Sequence, residues 1–284
     1  MSEDRPPKVL CHPDGKKSCG ACCGMYNHVE HGQSQTMQRL RRRTRAFHRN
    51  TSIDDEASLK AFRQRWEDDE KVKLMTGLPS CPFLGFVDGV EPSKTEQQGR
   101  ARIVGCLVHP LQNDGVDGRD CGVYDRFICE DYLCAAHNIL RTDEIRLVLD
   151  SIDDSYLYGL VITNPKFVRQ LLELVARRTG AWPSKKVLSR PAVLEAAGRC
   201  FEQMREWPYR DNDGIFGPVG VTGAVETRRR DMPADVFDVD PDPVDMLLVC
   251  MGTACKSTEE LYSARRRIDA EVDALAAAVK RAQP

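Results

Sequence analysis

Cysteine is the residue type whose number and spacing most clearly predict chemistry in this sequence. The chain has 12 cysteines among 284 residues, and all but three of them lie between Cys11 and Cys134. The string Cys19-Gly-Ala-Cys22 is a C-x2-C turn, in which two thiolates can converge on one ion because the glycine permits a tight backbone. Cys23 follows directly. Neighbouring side chains of an extended segment point to opposite faces. One thiol of the pair Cys22-Cys23 can therefore complete the site begun by Cys19, while the other serves a second site or bridges two metals.

Five further cysteines follow in the same half of the chain, several of them beside glycine or proline turns, as is typical of ligands carried by loops. Without Cys11 this half holds eight cysteines, which matches the demand of two tetrahedral four-thiolate sites or an equivalent cluster. His109 and His137 each follow a cysteine by three residues, a spacing that suits a ligand or the hydrogen-bond partner of one. The predicted metal ligands are Cys11, Cys19, Cys22, Cys23, Cys81, Cys106, Cys121, Cys129 and Cys134.

The same cysteines could instead pair as disulfides, which requires an oxidising compartment. The first residues are charged and interrupted by prolines, without the apolar segment of a secretory signal. No run approaches the roughly 18 apolar residues of a membrane span. We therefore expect a cytoplasmic protein with no membrane span. Clustered thiols in that reducing compartment more often bind metal or carry out redox chemistry.

Composition limits the class of protein and of partner. Hydrophobic residues make up 41% and charged residues 30%, which excludes both a disordered chain and a membrane protein. The net charge of −2 provides no overall field that would attract nucleic acid, so a nucleic-acid partner is not expected, while a protein partner stays open. The arginines between residues 39 and 49 are expected to form the solvated face of a helix, neutralised by the acidic segment 54–70.

The order of the cysteine pieces resembles the YkgJ-type cysteine-cluster family, which is described as a zinc- or iron-chelating domain. The matching pieces are Cys19-Gly-Ala-Cys-Cys23, Ser80–Leu84, Gly105–Pro110, and then Cys121, Cys129 and Cys134. The first cysteine of the family pattern falls on Lys16 here, and Cys11, five residues upstream, is the candidate replacement. The resemblance covers residues 11–137. It implies metal binding by these cysteines and does not supply a reaction.

Helices and one short hairpin are predicted to position these cysteines. An apolar stripe at helical spacing predicts a helix that includes Phe47. Ser52, with Asp55 three residues later, is a capping-box pattern that predicts the start of a second helix. Residues 83–87 and 102–108 are apolar and partly β-branched, and they predict a β-hairpin.

The predicted fold class is α+β and mainly α-helical. A cysteine-rich, metal-stapled N-terminal region with a short β-hairpin is followed by helices and by a C-terminal strand-loop-helix unit. One apolar stripe runs from Ile145 to Leu160, and Asn164 with Pro165 restarts a helix. The predicted division is residues 1–140 as a cysteine-cluster domain with a helical insertion at 34–76, residues 141–208 as a helical region, residues 209–245 as a linker or long loop, and residues 246–284 as a strand–helix unit.

The last segment carries a second cysteine pattern. The apolar run from Met246 to Met251 predicts a buried strand that leads into a C-x4-C loop between Cys250 and Cys255. This string resembles the first half of the iron–sulfur site of thioredoxin-like 2Fe–2S ferredoxins. No cysteine follows Cys255, so the segment alone cannot hold a cluster. The pair is a decayed site, a dithiol, part of a site completed by other residues, or two thiols on a buried strand. Cys200 is predicted to be a packing residue.

The leading hypothesis from sequence is a metal-ion binding protein of the cysteine-cluster type that holds zinc or iron, with no identified reaction. The first alternative is an iron–sulfur redox protein or electron carrier that uses the N-terminal cysteines together with Cys250 and Cys255. The second is an enzyme that modifies another protein, which rests on analogy with relatives of the cluster family. The sequence has no Gly-rich phosphate loop, H-E-x-x-H motif or nucleophile elbow. Whether the protein is an enzyme therefore stays open, and no catalytic residue is assigned.

Overall fold

The computed structural model describes residues 9–67, 72–89, 102–210, 219–222 and 226–283. Most of these residues are helical. In chain order the helices are α1 (Gln33–Asn50), α2 (Glu56–Trp66), α3 (Arg126–Asp131), α4 (Ala136–Ile139), α5 (Thr142–Ser151), α6 (Ser155–Ile162), α7 (Pro165–Thr179), α8 (Lys185–Leu188), α9 (Pro191–Glu202), α10 (Pro233–Phe237), α11 (Asp245–Cys250) and α12 (Thr258–Ala282). The strands are β1 (Leu84–Phe86), β2 (Val104–Cys106), β3 (Val219–Thr222) and β4 (Glu226–Arg229).

The N-terminal half is built on α1, α2 and the hairpin of β1 and β2. The two strands pair antiparallel, with Leu84 opposite Cys106 and Phe86 opposite Val104, which confirms the predicted hairpin. The hydroxyl of Thr44 on α1 accepts a hydrogen bond from the Phe86 N–H at 2.8 Å. This bond satisfies a backbone donor of β1 and fixes α1 across the hairpin.

A small aromatic core lies between α1, α2 and the hairpin. The ring of Phe62 stacks on that of Phe83 with 5.6 Å between centroids. Phe47 meets both rings edge-on, at 5.5 Å from Phe62 and 6.1 Å from Phe83. Edge-on and stacked pairs of this kind stabilise by about 0.5–1.5 kcal/mol beyond the burial of area. The cysteine-bearing loops are therefore attached to a rigid aromatic base.

The start of α2 differs from the prediction that placed it at Ser52. The helix begins at Glu56, and its N-cap is Asp55, whose carboxylate accepts the Ala57 N–H at 3.0 Å. Ser52 is held in the preceding turn, since its carbonyl oxygen accepts the Ser58 hydroxyl at 3.2 Å. The predicted capping box was wrong because Asp55 itself caps the helix, as aspartate commonly does.

The helices α5, α6, α7, α9, α11 and α12 pack around the main apolar core. Helix α12 runs along α7 and α9, and it buries Ile268 and Val272 completely. Complete burial of such a side chain stabilises the fold by about 1.5–3 kcal/mol relative to exposure. Tyr26 and Val104 of the N-terminal half belong to the same core. The apolar core therefore crosses the predicted boundary at residue 140.

The apolar stripe from Ile145 to Leu160 belongs to two helices. Helix α5 ends at Ser151, and α6 begins after Asp154, whose carboxylate accepts the Leu157 N–H at 2.9 Å. The predicted restart at Asn164 is confirmed, because the Asn164 side chain caps α7 and Pro165 is its first residue. A capping side chain thus marks each restart of the helical chain.

The C-terminal strand predicted from Met246 to Met251 was wrong, because this run forms helix α11. A short apolar run cannot be assigned to a buried strand or a buried helix by periodicity alone. The helix is fixed by Asp245, fully buried, whose carboxylate accepts hydrogen bonds from Arg265 of α12 at 2.7 and 2.8 Å. The predicted C-terminal unit is therefore helix, loop and helix.

The stretch 209–245, predicted as a linker or long loop, contains β3, β4 and α10. The two strands pair antiparallel, with Val219 opposite Arg229, and α10 begins at Pro233. Proline is tolerated in the first turn of a helix, so a stretch rich in proline and aspartate can contain one. Residues 211–218 and 223–225 of this prediction lie outside the described residues.

The predicted fold class, α+β and mainly α-helical, is confirmed by the dominance of helices over two small antiparallel sheets. Within the described part of the chain, no helix is both long enough and apolar enough to cross a lipid bilayer. The helical bundle and the hairpin together hold the loops that carry the N-terminal cysteines.

Candidate metal centre

A tight turn after Cys19 places three thiols at the centre of the N-terminal half. The Cys19 N–H donates to the Cys11 carbonyl oxygen at 2.9 Å, which brings the first two predicted ligands side by side. The carbonyl oxygen of Gly20 accepts the Cys23 N–H at 3.2 Å and closes the turn. Cys11 therefore lies beside the turn.

The segment that carries Cys81 lies directly against this turn. Gly24 has a φ of 82°, in the left-handed region that glycine adopts without steric cost. A Cβ at Gly24 would lie 2.6 Å from the Ser80 hydroxyl oxygen, so glycine is also needed for the close approach. The Cys81 N–H donates to the Cys23 carbonyl oxygen at 3.0 Å, which joins the two segments.

The β1–β2 hairpin brings Cys106 to the same place. The Leu84 N–H donates to the Cys81 carbonyl oxygen at 3.2 Å, so a tight turn connects Cys81 to the start of β1. Leu84 pairs with Cys106 across the hairpin. Because directly opposed residues have Cβ atoms about 4.5–5.5 Å apart, Cys106 is held next to the segment of Cys81.

Cys129 and Cys134 are carried by α3 and the residues that follow it. The Asp125 carboxylate caps α3 by accepting the Ile128 N–H at 2.9 Å. The chain that leads to α3 passes the Cys81 thiol, since a Cβ at Gly122 would lie 3.8 Å from its sulfur. Helix α3 contains no buried residue. These two cysteines are therefore attached to the most exposed element of the site.

Four thiols form a first thiol group, which consists of Cys11, Cys19, Cys22 and Cys134. Burial raises the pKa of Cys19 well above its usual value, and the thiols of Cys11, Cys22 and Cys134 raise it further. Partial desolvation raises the pKa of Cys22 to about 11, again with contributions from Cys11 and Cys134. A charge must lie nearby to raise the pKa of a thiol in this way. The four side chains therefore share one neighbourhood.

Four other thiols form a second thiol group, which consists of Cys23, Cys81, Cys106 and Cys129. Burial raises the pKa of Cys23 well above its usual value, and the thiols of Cys81, Cys106 and Cys129 raise it further, together with the adjacent Cys22. Burial raises the pKa of Cys106 to about 12, with contributions from Cys81 and Cys129. Cys22 adds to the pKa of Cys23 as well as to that of Cys19, so the two groups meet at the dipeptide Cys22-Cys23.

His137 joins the two ends of the first thiol group. Its Nε2 accepts the Leu10 N–H at 3.2 Å, so the proton of the neutral ring lies on Nδ1. That Nδ1–H faces the Cys134 carbonyl oxygen at 3.3 Å and the Cys134 sulfur at 3.5 Å. His137 is therefore placed as a hydrogen-bond donor to a ligand, because its Nε2 is already engaged.

Helix α6 lies under the first thiol group, and sequence analysis did not identify this role. A Cβ at Gly159 would lie 3.4 Å from the Cys19 sulfur and 2.2 Å from the Tyr26 hydroxyl oxygen. Only glycine allows the helix to approach this closely. An isolated glycine inside the apolar run 157–162 is the sequence signal that could have indicated it.

Buried hydroxyl groups attach the residue before Cys19 to both α6 and the hairpin. The Ser18 hydroxyl oxygen accepts the Val104 N–H at 2.8 Å. The Ser18 N–H donates to the Ser155 hydroxyl oxygen at 3.1 Å, and the Ser155 hydroxyl donates to the Arg102 carbonyl oxygen at 2.8 Å. Each such bond contributes about 0.5–1.5 kcal/mol. The base of the first thiol group is thereby fixed from two sides.

Arginine side chains surround the second thiol group. Arg43 of α1, predicted to lie on a solvated face, is 2% exposed and donates to the Cys81 carbonyl oxygen at 3.2 Å. Its burial was missed because the acceptor comes from a distant segment. Arg63 of α2 donates to the Gly122 carbonyl oxygen at 2.5 Å. Burial raises the pKa of Cys81; backbone hydrogen bonds from Phe83 and Val123 oppose that rise, and the charges of Arg43 and Arg63 oppose it further. The arginines therefore favour thiolates in this group.

Cys121, a predicted ligand, is buried in the small apolar cluster that also contains Cys81, and Cys23 and Cys106 pack against that cluster. Burial raises the pKa of Cys121, and the negative charge of Glu56 adds to the rise. His109 caps a short 3-10 helix, Pro110–Gln112, where its Nδ1 accepts the Leu111 N–H at 3.2 Å. Cys121 therefore lies beside the second thiol group, and the Nδ1 of His109 is engaged by a backbone N–H.

The three C-terminal cysteines do not join the N-terminal thiols. Cys200 is fully buried in α9, as predicted for a packing residue. Burial raises the pKa of Cys250 to about 12, with a smaller opposite effect of Lys166. Burial raises the pKa of Cys255 to about 11, with Glu260 adding to it. Neither of these two thiols affects the pKa of the other, so they are not placed as a dithiol.

All twelve cysteines carry free thiols. Among the residues described, no three Cys, His, Asp or Glu side chains converge in an arrangement that would hold a metal ion. The donor chemistry of each thiol group fits a soft ion, because four thiols provide a complete tetrahedral ligand set. Ion binding would require these neighbouring sulfurs to move to about 2.3 Å from one point.

Comparison with known proteins gives no family for this chain. No family model matches it, and neither the curated proteins nor the solved structures give a significant match. The resemblance to the YkgJ-type family therefore stays a prediction that rests on the cysteine spacing.

Proposed function

We propose that this protein binds zinc or iron ions at two sites of four thiolates each. The observation that carries the proposal is that the fold brings cysteine-bearing segments together: backbone hydrogen bonds join Cys19 to Cys11 and Cys81 to Cys23, and the hairpin places Cys106 opposite Leu84. The first thiol group would hold one ion and the second thiol group another. Cys121 would hold neither.

The ligand type restricts the ion. Thiolates are soft ligands that favour zinc, copper(I) and iron–sulfur chemistry over magnesium or calcium. Four thiolates leave no open position on a tetrahedral ion, which is typical of structural rather than catalytic zinc sites. Residues 9–32, all within the described chain, contain no helix or strand. Ions that join this stretch to the hairpin and to α3 would supply part of the free energy of folding.

The surroundings of the thiols also support ion binding. The thiols must lose their protons to become ligands, and burial opposes that loss in both groups. Arg43, Arg63 and Arg119 bring positive charge to the second thiol group, where they oppose the effect of burial. The Nδ1–H of His137 points at the Cys134 sulfur of the first thiol group. Such hydrogen bonds stabilise a ligand thiolate and fix its direction.

Metal analysis of protein purified without oxygen tests the proposal. We expect about two equivalents of zinc or iron per chain, in line with two complete four-thiolate sites. A visible spectrum separates the ions, since zinc–thiolate protein is colourless and iron–thiolate protein absorbs in the visible. Folded protein with less than roughly 0.2 equivalents of any transition metal would contradict the proposal.

A pair of cysteine variants supplies the matched control. Cys23→Ser removes a member of the second thiol group, and it should reduce the metal content to one equivalent or less. Cys121→Ser removes a buried thiol from the same half of the chain but from neither group, and its metal content should equal that of the unaltered protein. If Cys23→Ser and Cys121→Ser lost equal amounts of bound metal, the assignment of the ligands would be wrong.

A second candidate function is electron transfer through iron–sulfur clusters at the same thiols. The observation that favours it is the combination of arginines at the second thiol group with an N–H donor at Cys134. Charge and hydrogen bonds to sulfur are what set the reduction potential of such clusters. Cys250 and Cys255 have no part in this version. A brown protein with iron and acid-labile sulfide would support it, and an iron-free sample would exclude it.

A further inference from the structure

The stretch from Asp125 to Leu133, which contains α3, is exposed along its whole length. Each of its nine residues is exposed to solvent, and α3 contains no buried residue. The start of the helix is fixed by a polar contact, since the Asp125 carboxylate accepts the Ile128 N–H at 2.9 Å. A helix of six residues is unstable on its own in water, because the packing of an apolar face supplies most of the stability of helices in proteins. In α3 that face is open to solvent.

Large apolar side chains are concentrated on this stretch and just beyond it. Phe127 is 65% exposed and Tyr132 is 56% exposed, and Ile128, Leu133 and Ile139 are exposed as well. Single exposed apolar residues are normal on a protein surface, whereas several on one short element mark an interaction surface. Aromatic side chains are also the residues that most often anchor an interface between proteins. We call these five side chains, together with the acidic residues among them, the α3 patch.

The α3 patch is negatively charged. Residues three and four apart lie side by side on a helix, so Phe127 has Glu130 and Asp131 as neighbours. Arg126, the one basic residue of α3, already pairs with Asp120 at 3.5 Å. Residues 111–139 contain six Asp and Glu against two Arg, a net charge of −4, whereas the whole chain has a net charge of −2. Exposed apolar side chains and excess negative charge therefore occur on the same part of the chain.

We propose that the α3 patch docks a basic, amphipathic segment of another protein. The apolar side chains of that segment would cover Phe127 and Tyr132, and its Lys or Arg side chains would face Glu130 and Asp131. An apolar centre surrounded by complementary charge is the usual arrangement of a protein interface. Docking would also give α3 the packing partner that the stability of a short helix requires. This surface goes beyond the proposed function and does not depend on bound metal.

The charge of the patch disfavours other occupants. A symmetric dimer through this surface would bring the same negative patch of two copies together, and the two would repel. The arginine-rich helix α1 of a second copy also fits poorly, because α1, which is described over its whole length, exposes no large apolar side chain. An anionic lipid surface would be repelled by the same negative charge. A basic segment with an apolar face has neither disadvantage.

Fluorescence anisotropy with a synthetic peptide tests the proposal on the whole protein. The probe is a labelled peptide of about four helical turns, in which Leu and Lys are spaced so that one face is apolar and the other basic. The matched control peptide carries Glu in place of Lys. We expect saturable binding of the Lys peptide that weakens as salt is raised, and no measurable binding of the Glu peptide. Equal affinity for the two peptides, or no binding of either, would overturn the proposal.

Variants at exposed positions show where the peptide binds. Phe127→Ser and Ile128→Ser each remove an apolar side chain of the patch, and Phe127→Ser should weaken binding of the Lys peptide at least about tenfold, as removal of an aromatic anchor does. Val236→Ser, at an exposed position of α10, is the control and should leave the affinity unchanged. Thermal unfolding should be nearly the same in all three, because the altered side chains are exposed. Equal peptide affinity of the three variants would overturn the proposal.

A charge reversal tests the basic character of the partner. Asp131→Lys reverses a charge beside Phe127 and removes no apolar side chain. It should weaken binding of the Lys peptide about two- to fivefold and strengthen binding of the Glu peptide. Glu206→Lys, at an exposed position outside the patch, is the control and should change neither affinity. Unchanged affinity of Asp131→Lys for the Lys peptide would contradict a basic partner.

Sedimentation of the protein alone, and with phosphatidylcholine vesicles, tests the other occupants. We expect Phe127→Ser to change neither the oligomeric state nor the amount of protein that sediments with vesicles. A dimer that Phe127→Ser abolishes would place a second copy on the patch. Vesicle binding that Phe127→Ser abolishes would place a lipid surface there. Either result would overturn the proposal of a basic protein partner.

Discussion

The backbone N–H of Cys81 donates to the carbonyl oxygen of Cys23 at 3.0 Å. This bond joins the turn after Cys19 to the start of the hairpin, and it brings Cys81 and Cys106 to the side of the turn where Cys23 lies. Cys22, the preceding residue, instead has Cys11 and Cys134 as its neighbours. The division of eight cysteines into two groups follows from this arrangement.

The first prediction concerns His137. His137→Ala removes both the acceptor of the Leu10 N–H and the N–H donor that faces the Cys134 sulfur. Loss of such a partner of a metal ligand typically lowers metal affinity about 10–100-fold. Competition with a coloured chelator measures the effect. His48→Ala, at an exposed position on α1, is the control and should leave the affinity unchanged. Equal affinities of the two variants would contradict the placement of His137.

The sharing of one dipeptide by two sets of thiols could be predicted, because the C-x2-C-C spacing that indicates it is local in the sequence. The C-x2-C-C string and the opposite directions of adjacent side chains indicate two groups that share a dipeptide. The membership of each group could not be predicted. It depends on contacts between distant segments, such as Cys81 with Cys23 and His137 with Leu10. The place of Cys121 in the same buried cluster as Cys81 is also a contact between segments that are distant in the sequence.

In the fold, too, features set by neighbouring residues could be predicted, whereas features set by contacts between distant segments could not. The hairpin and the restart of helix at Asn164 were predicted because turn and capping residues act on their immediate neighbours. The run from Met246 to Met251 was predicted as a strand because a short apolar run has no distinguishing period. In the fold this run is the helix α11, and its first residue, Asp245, forms a buried ion pair with Arg265 of α12, a contact that local sequence signals do not indicate.

A second prediction tests that ion pair. Asp245→Asn leaves the guanidinium of Arg265, itself largely buried, without its carboxylate. Removal of one partner of a buried pair costs about 3–5 kcal/mol, which urea denaturation of the unaltered and variant proteins would measure. Asp273→Asn breaks the exposed pair of Asp273 with Arg178 and should cost at most about 1 kcal/mol. If both variants lost less than about 1 kcal/mol of unfolding free energy, Asp245 would not be buried against α12.

A third prediction concerns the close approach of α6. Gly159→Ala places a methyl group 2.2 Å from the Tyr26 hydroxyl oxygen and 3.4 Å from the Cys19 sulfur. We expect a loss of stability of about 1–3 kcal/mol from overpacking, together with weaker metal binding. Thermal unfolding and a chelator competition measure the two effects. Gly198→Ala on α9 is a less crowded comparison, since its methyl group would lie 3.1 Å from the Ser151 carbonyl oxygen, and it should lose less stability than Gly159→Ala. A stabilised Gly159→Ala protein would contradict the packing described.

A fourth prediction concerns the reactivity of the thiols. With metal bound, the eight grouped cysteines should resist iodoacetamide, and they should react after a chelator removes the ions. Cys200 should stay unmodified in both conditions, because it is fully buried and burial raises its pKa. Cys255 should react to the same extent with or without metal. Peptide mass spectrometry identifies each site. If Cys11 or Cys129 is modified to the same extent with and without bound metal, that residue is not a metal ligand.

X-ray absorption at the metal edge of the purified protein tests the central claim most directly. The account predicts about two ions per chain, each surrounded by four sulfur atoms at about 2.3 Å, with no nitrogen or oxygen in the first shell. Iron–sulfur clusters would add a metal–metal distance to a shell made only of sulfur. A shell that contains nitrogen or oxygen, or fewer than four sulfurs per ion, would contradict the assignment of the eight cysteines to two complete sites.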